Sequence, residues 1–498
     1  MSSITKDPAS LGAVPAPHTR TMRGSLGVTA IVFMVVAAAA PLTVVGGAAP
    51  LGMLLGNGVG FPALYAASAV ILLLFSVGLA AMTRHIPRPG AFFTFVGHGL
   101  GRPAGAGAAT LALLTYTTIQ VSVHGYIGYL LGVTVSGLGG PDIPWYVWSL
   151  VVVALVGLLG YRHIDLSSKV LGVLLVAEVG IVLVLVAAIV VRGGADGLSL
   201  APFEPSAIMS GSPGVGLMFA IAAFIGFEAT AIFRDEAKDP ERTIPRATYT
   251  AVIGIGVFYT LASWALVMAW GPNGVLAEAA KDPGSLILTT AARYIGGAGE
   301  AVLNVLLLTS MFACVLSFHN VITRYQHSMA NASLLPARLG AVHRKHASPH
   351  TSSIVQTITA AALMVLFAVL GLDPVLQVFS WFAGVATLAV AILMAATSLA
   401  VIVYFRRTRS DTRVWNTIVA PVLGFVGLVA AAALIWANFP TLVGDVDAKG
   451  ASVFGVVSIV LTGLVVLAAV VGVVQAVVLR RTRRAQYEVM LDRLAVES

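Results

Sequence analysis

The sequence predicts an all-α membrane protein built from twelve transmembrane helices. Three observations predict it. Of the 498 residues, 58% are hydrophobic and only 10% are charged. Apolar runs recur along the whole chain, each near the ~20 residues that a helix needs to cross a bilayer. The runs are apolar throughout, which argues against the alternating strands of a membrane β-barrel.

The spans are read at 25–50, 60–82, 104–134, 144–160, 168–191, 211–235, 247–270, 297–325, 352–371, 376–404, 415–437 and 452–480. Gly24 to Thr83 is one charge-free run, and Gly56-Asn57-Gly58-Val59-Gly60 divides it in two. An even count puts both termini on one side. Of the 29 Lys and Arg, all but Arg192, Lys281, Arg293 and Lys449 fall on that side. Positive loops stay cytoplasmic, so the chain is expected in the cytoplasmic membrane with both termini on the cytoplasmic side. The net charge of +8 follows from the same rule, and nucleic acid is not an expected partner. The lipid bilayer and a small molecule are. Cys314 is the single cysteine and lies in a span, so no internal disulfide is expected. The first run is too long for a cleavable signal and a second span follows directly. Residues 1–24 read as a disordered tail. Residues 481–498 read as a polar cytoplasmic tail with room for a short helix. No nucleotide loop, metal-spaced His/Cys cluster or soluble domain is visible, so no enzyme, ATP-driven pump or cofactor is expected.

Span 1 runs through Ala37-Ala38-Ala39-Ala40-Pro41-Leu42-Thr43 to Gly46-Gly47. Pro41 removes a helix hydrogen bond and clashes with the preceding turn, and the small residues before it let a ligand approach the backbone. In span 3, Tyr116, Gln120 and His124 recur every four residues and share one helix face. They line a site or bond neighbouring helices. In span 5, Glu178 is the only charge within Val170–Val191; in span 6, Glu228 is the only charge within Pro205–Phe233. A mid-bilayer charge costs roughly 2.5–3.5 kcal/mol on insertion scales, so such residues usually face a cavity. Span 6 breaks at Phe224-Ile225-Gly226-Phe227-Glu228, where Gly226 weakens the helix. Spans 1 and 6 open the two halves of a five-plus-five arrangement, and paired interruptions of this kind are either a transporter's midplane site or ordinary proline and glycine kinks of membrane helices. Span 8 carries Ser310, Ser317 and Asn320, with His319 pointing elsewhere.

Span 6 continues as Arg234-Asp235-Glu236-Ala237-Lys238-Asp239-Pro240-Glu241-Arg242-Thr243-Ile244-Pro245-Arg246-Ala247. With the preceding Phe-Ile-Gly-Phe-Glu, this resembles the signature of the amino acid–polyamine–organocation superfamily of permeases. Pro87-Arg88-Pro89-Gly90-Ala91-Phe92-Phe93 and Leu334-Leu335-Pro336-Ala337-Arg338-Leu339 are similar to its loops 2–3 and 8–9. The resemblance covers nearly the whole chain.

It implies two inverted five-helix repeats, 25–192 and 205–405, with peripheral helices over 414–480. It implies a substrate held by unwound backbone at Ala38, Ala39, Ala40, Pro41, Leu42 and Thr43 and at Phe224, Ile225, Gly226, Phe227 and Glu228, with Tyr116 and Gln120 lining the site. Many members have Gly-x-Gly at the first break. The alanines here are expected to allow close approach but not the positive φ of glycine. Ala222 stands where some members carry a gating aromatic, leaving Phe224 or Phe227 to serve.

Glu178 resembles in position a lysine of some proton-coupled members. A carboxylate in apolar surroundings takes up protons near neutral pH, so proton coupling through Glu178 and Glu228 is expected. Sodium beside Ser310 and Ser317 is the alternative, and a helix–helix hydrogen bond from a protonated Glu178 is the structural one. Glu228 either titrates, binds a substrate ammonium, or holds the span 6 backbone. Arg84 and Arg88 are expected to pair with acids of loop 6–7 such as Glu236, with Lys238 in the same cytoplasmic gate; a solvated turn without a gating part is the alternative. Importer, exchanger and non-transporting receptor remain the competing classes, with an amino acid or amine as substrate. Monomer and homodimer stay open. The Gly52/Gly56, Gly56/Gly60 and Gly128/Gly132 spacings occur in both.

Overall fold

The computed structural model describes residues 26–86, 92–162, 168–228, 230, 237–343 and 348–494. Among these there is no β-strand, and the extended pairings are two isolated bridges, Leu26 with Ala237 and Val446 with Ser452. The helices in chain order are α1 (Val28–Ala38), α2 (Phe61–Thr83), α3 (Phe92–Leu100), α4 (Arg102–Gly137), α5 (Trp145–Tyr161), α6 (Ser168–Val191), α7 (Pro213–Ala222) and α8 (Pro240–Trp270). They continue as α9 (Leu286–Asn331), α10 (His350–Val369), α11 (Ser380–Thr408), α12 (Ala420–Ala437), α13 (Val456–Thr482), α14 (Arg484–Glu488) and α15 (Met490–Leu494). Shorter helical turns join them. Each of the twelve apolar runs carries helix. Among the described residues, 9 helical stretches are long and apolar enough to cross a membrane, while Val28–Ala37, Trp145–Tyr161 and Pro213–Ala222 are shorter.

The boundaries follow local chemistry. Proline opens α2, α4, α7 and α8 within their first two residues, where its missing N–H costs nothing. Gly271, at φ 74°, ends α8. Two boundaries differ from the sequence reading. The run at 297–325 lies inside the longer α9, which begins at Leu286 and bends at Gly296. Loop 2–3 contains α3, nine residues long and mostly buried.

The core forms around α4, whose apolar window is 78% buried, whereas that of α13 is 28% buried. That contrast places α4 in the interior and α13 at the rim, lying along α4. The small-residue spacings pack inside the chain. A Cβ on Gly56 would stand 2.7 Å from Gly216 Cα, so the chain after the first break touches the backbone of α7. Gly128 abuts Ser149 and Trp145 of α5 in the same way.

Candidate functional site

The first break separates α1 from the helical segment that starts at Pro41. Ala39 closes α1, and Ala40 takes φ 47°, ψ 68° before the chain re-enters helix. The expectation that alanine would not supply a positive φ here is corrected: Ala40 is left-handed. The conformation costs an L-residue roughly 1–2 kcal/mol. It is held in place because Ala40, Pro41, Leu42 and Thr43 are all buried. Beyond Thr43 the chain is wound wide, as π-helix, over Val44–Ala48 and Gly52–Asn57.

A helix that begins at Pro41 leaves its first amides, Leu42 and Thr43, without intrahelical acceptors. Val44 N–H reaches the Ala40 carbonyl at 3.3 Å. The Leu42 amide lies against the carboxylate of Glu178 from α6. Ser310 of α9 donates to the same carboxylate at 2.8 Å, and Thr43 donates to Ser310 at 3.3 Å. Glu178 is 5% exposed, so this cluster of acidic, hydroxyl and backbone groups is closed within protein.

The second break follows α7. The backbone turns through Ala223–Gly226, with Phe224 N–H on Ile221 and Ile225 N–H on Ala222, and Gly226 takes φ 111°. Only glycine adopts that value without strain. Glu228 folds back so that its Oε2 accepts the Gly226 N–H at 2.9 Å. Its Oε1 accepts from the Tyr116 hydroxyl of α4. Tyr325 of α9 places its ring 5.3 Å from that of Tyr116, and Phe318 lies at 6.0 Å. Phe224 packs on Tyr259 and Phe227 on Phe75, each edge-on at 6.1 Å. Both phenylalanines are fully buried, and Ile225 is 5% exposed.

The two carboxylates occupy different levels. Ser310 marks Glu178 along α9, and Phe318 with Tyr325 marks Tyr116 and Glu228. At 1.5 Å per residue these levels are on the order of 15 Å apart.

Other expected residues are placed elsewhere. Gln120 is fully buried, but its amide is engaged by the Val315 carbonyl at 3.1 Å and by Gln356 Nε2 at 2.7 Å. Gln356 in turn accepts from Gln326. Gln120 therefore belongs to an α4–α9–α10 network, although it shares a helix face with Tyr116. His124 is fully buried near His319, which bonds Ser353 at 2.9 Å. Ser317 does not join Ser310. Seven residues of helix separate them by about 10 Å, too far to ligate one ion. Arg84 reaches the segment after the second break, but it donates to the Glu241 carbonyl at 2.9 Å. Lys238 joins through its backbone, donating to the Leu26 carbonyl at 3.0 Å, and its side chain is exposed. Arg88 and Glu236 lie outside the described residues.

Tyr325, Tyr259 and Phe75 were not singled out from sequence. Their only local signal is an aromatic ring in an apolar run. Among the described residues no group of three His, Cys, Asp or Glu could hold a metal. An apolar groove of about 520 Å³ opens between α2 and α8, lined by Ala66, Ala69, Gly256, Val257 and Trp264. It contains neither carboxylate and is not the candidate site.

The amino acid permease family profile matches residues 31–486. An uncharacterized transporter of Mycobacterium tuberculosis is 28% identical over 47% of this chain and 54% of its own length. The branched-chain amino acid permease of Bacillus subtilis is 24% identical over 59% of this chain and 65% of its own. The low-affinity putrescine importer of Escherichia coli K12 is 23% identical over 61% and 66%. The chain thus spans about half the length of the first relative. With the profile matching most of the sequence, and with its many membrane-length helices, the chain is an integral multi-pass membrane protein that belongs to the amino acid permease family.

Proposed function

We propose that the protein is a secondary active transporter that imports an amino acid or related amine across the cytoplasmic membrane by alternating access, coupled to protons. One observation carries this reading. Two helices are interrupted within apolar spans, and a buried carboxylate sits on freed backbone at each break, Glu178 at Leu42 and Glu228 at Gly226. Irregular backbone at membrane depth persists only where protein or a cavity surrounds it. In this reading the substrate contacts are the backbone of 38–43, the turn 224–228 and the Tyr116 ring. A substrate carboxylate takes the Thr43 amide and competes with Glu178 for that of Leu42. A substrate ammonium meets Glu228.

The same geometry supports coupling. An ionised carboxylate accepts on both oxygens, and protonation turns one of them into a donor. Protonation of Glu178 therefore weakens its hold on Leu42 and Ser310, and so on the first break. Protonation of Glu228 does the same at the second. Sodium held by Glu178 and Ser310 is the alternative, without Ser317. The twelve spans then form two inverted repeats, 25–192 and 205–405, plus peripheral helices at 414–480, with both termini cytoplasmic.

The substrate class is tested by counterflow in proteoliposomes preloaded with unlabelled leucine or putrescine. Entry of the matching label supports the reading. Binding of either compound with no counterflow makes the protein a receptor and overturns it.

A further inference from the structure

The segment after α13 is more than a solvated tail. The chain turns at Arg483 into α14 and α15. Met490 and Leu494 have no exposure, and Tyr487 is 8% exposed. Leu491 fills a notch between two glycines. A Cβ on Gly105 of α4 would stand 3.1 Å from Leu491 Cδ2, and one on Gly97 of α3 would overlap it. Arg102, the first residue of α4, donates to the Glu488 carbonyl at 2.8 Å and pairs with its carboxylate at 3.2 Å. The same guanidinium lies 5.4 Å over the Tyr487 ring. At the far end, Arg493 reaches the carbonyl of Asn331, the last residue of α9, at 3.5 Å. The tail thus ties the α3–α4 elbow to the end of α9.

That elbow touches the candidate site. Phe93 of α3 is fully buried and packs edge-on against Tyr325 at 5.2 Å. Tyr325 adjoins Tyr116, which donates to Glu228. A continuous chain of packed groups therefore runs from Leu491 through α3, Phe93, Tyr325 and Tyr116 to the carboxylate that holds the second break. Helix α3 is nine residues long, too short to be stable alone. With Gly97 and Gly99 on it, its position is set by what packs against it: Leu491 on one side and Ala400 on another. The Arg102–Glu488 pair is 35% and 51% exposed and contributes little, so the seat of the tail depends on the apolar contacts of Tyr487, Met490, Leu491 and Leu494.

We infer that Phe93 and Tyr325 are positioning residues for the Tyr116–Glu228 bond, and that the docked C-terminal tail holds them in place. This rests on the reading of Glu228 as part of the transport site. The coupling is reciprocal, because a free-energy link between two sites works in both directions.

Two measurements test it. The first needs no substrate. The purified protein and its Tyr116→Phe variant are digested briefly with trypsin, and cleavage at Arg480, Arg481, Arg483 and Arg484 is followed by mass spectrometry. Tyr116→Phe breaks the bond to Glu228, so tail cleavage is expected to rise about threefold or more. Phe93→Leu is expected to abolish that difference. Equal cleavage in wild type and Tyr116→Phe overturns the proposal. The second is initial-rate uptake of labelled leucine or putrescine, whichever the wild type carries. Leu491→Ala and Tyr325→Leu are expected to raise KM about three- to tenfold, and the double variant no further than the larger single effect. The exposed Arg481→Ala serves as control. Unchanged KM with reduced protein yield, or effects that simply add, assigns the tail a merely structural part and overturns the proposal. If the wild type carries neither compound, that choice of substrates fails, and the cleavage result decides the tail by itself.

Discussion

Replacing Glu178 by glutamine separates the structural duty of this carboxylate from the coupling duty proposed for it. In the wild type it accepts from Ser310 at 2.8 Å and faces the Leu42 amide. A glutamine at 178 keeps one acceptor for Leu42 and offers its NH2 to Ser310, whose oxygen can accept while its proton turns to its own helix. What is lost is the difference between charge-assisted and neutral hydrogen bonds, about 1–2 kcal/mol. The variant should therefore fold, with a melting temperature in detergent lowered by a few degrees. Coupling is affected far more. A proton entering down about 100 mV releases ~2.3 kcal/mol, and at ~1.4 kcal/mol per tenfold this sustains roughly 50-fold accumulation. Glutamine does not titrate, so the steady-state ratio of internal to external label should fall towards 1 while counterflow with preloaded vesicles continues. The assay is one proteoliposome preparation measured in both modes. A Glu178→Gln protein that accumulates label as the wild type does refutes the coupling argument.

Glu228 tests the second break. Glu228→Leu leaves the Gly226 N–H and the Tyr116 hydroxyl buried without their acceptor, at ~1–3 kcal/mol each. That variant should lose about 2–6 kcal/mol and aggregate on size-exclusion chromatography, whereas Glu228→Gln should elute normally yet lose gradient-driven uptake; normal elution of both contradicts the capping role. Ala40→Gly should leave thermal stability unchanged or raise it by up to about 1.5 kcal/mol, because about 1–2 kcal/mol of relief at φ 47° outweighs about 0.4–1 kcal/mol of added freedom in the unfolded chain. Ala109→Gly, inside α4, should lose about 0.5–1 kcal/mol, and equal losses at both positions would contradict the left-handed assignment. In the loop after α11, the Arg413 guanidinium binds Asp411 with contacts of 2.6–3.2 Å and holds its carboxyl down to about 2. A depressed folded pKa gives stability that is complete above the unfolded value near 3.9 and fades as pH falls towards 2. Asp411→Asn should therefore leave the pH profile of uptake between 5 and 8 unmoved; a displaced profile contradicts this.

The helices were legible because membrane-length apolar runs have few other ways to satisfy their backbone. The breaks were legible from Pro41, which cannot continue the hydrogen-bond ladder, and from Gly226 beside a buried acid. What seats Ala40 in a left-handed conformation was not, since its own residue type opposes it and surrounding burial decides. Face-sharing misled twice. Ser310 and Ser317 lie on one stripe but about 10 Å apart along it. Tyr116 and Gln120 lie on one stripe but meet different helices, Tyr116 at Glu228 and Gln120 at Val315 and Gln356. Tyr325 and Leu491 were invisible because their significance comes from contacts hundreds of residues away in sequence. Neither α3 nor α15 has the length or periodicity to announce a packed helix.

The function proposed for the chain is proton-driven flux through a site built on two broken helices. The most direct measurement is uptake of labelled leucine and putrescine into proteoliposomes in sodium-free buffer, with an inward proton gradient imposed and then collapsed by an ionophore. Proton coupling gives accumulation above the external concentration that decays to equilibrium when the gradient collapses. Accumulation that ignores the proton gradient and appears only with sodium would contradict it.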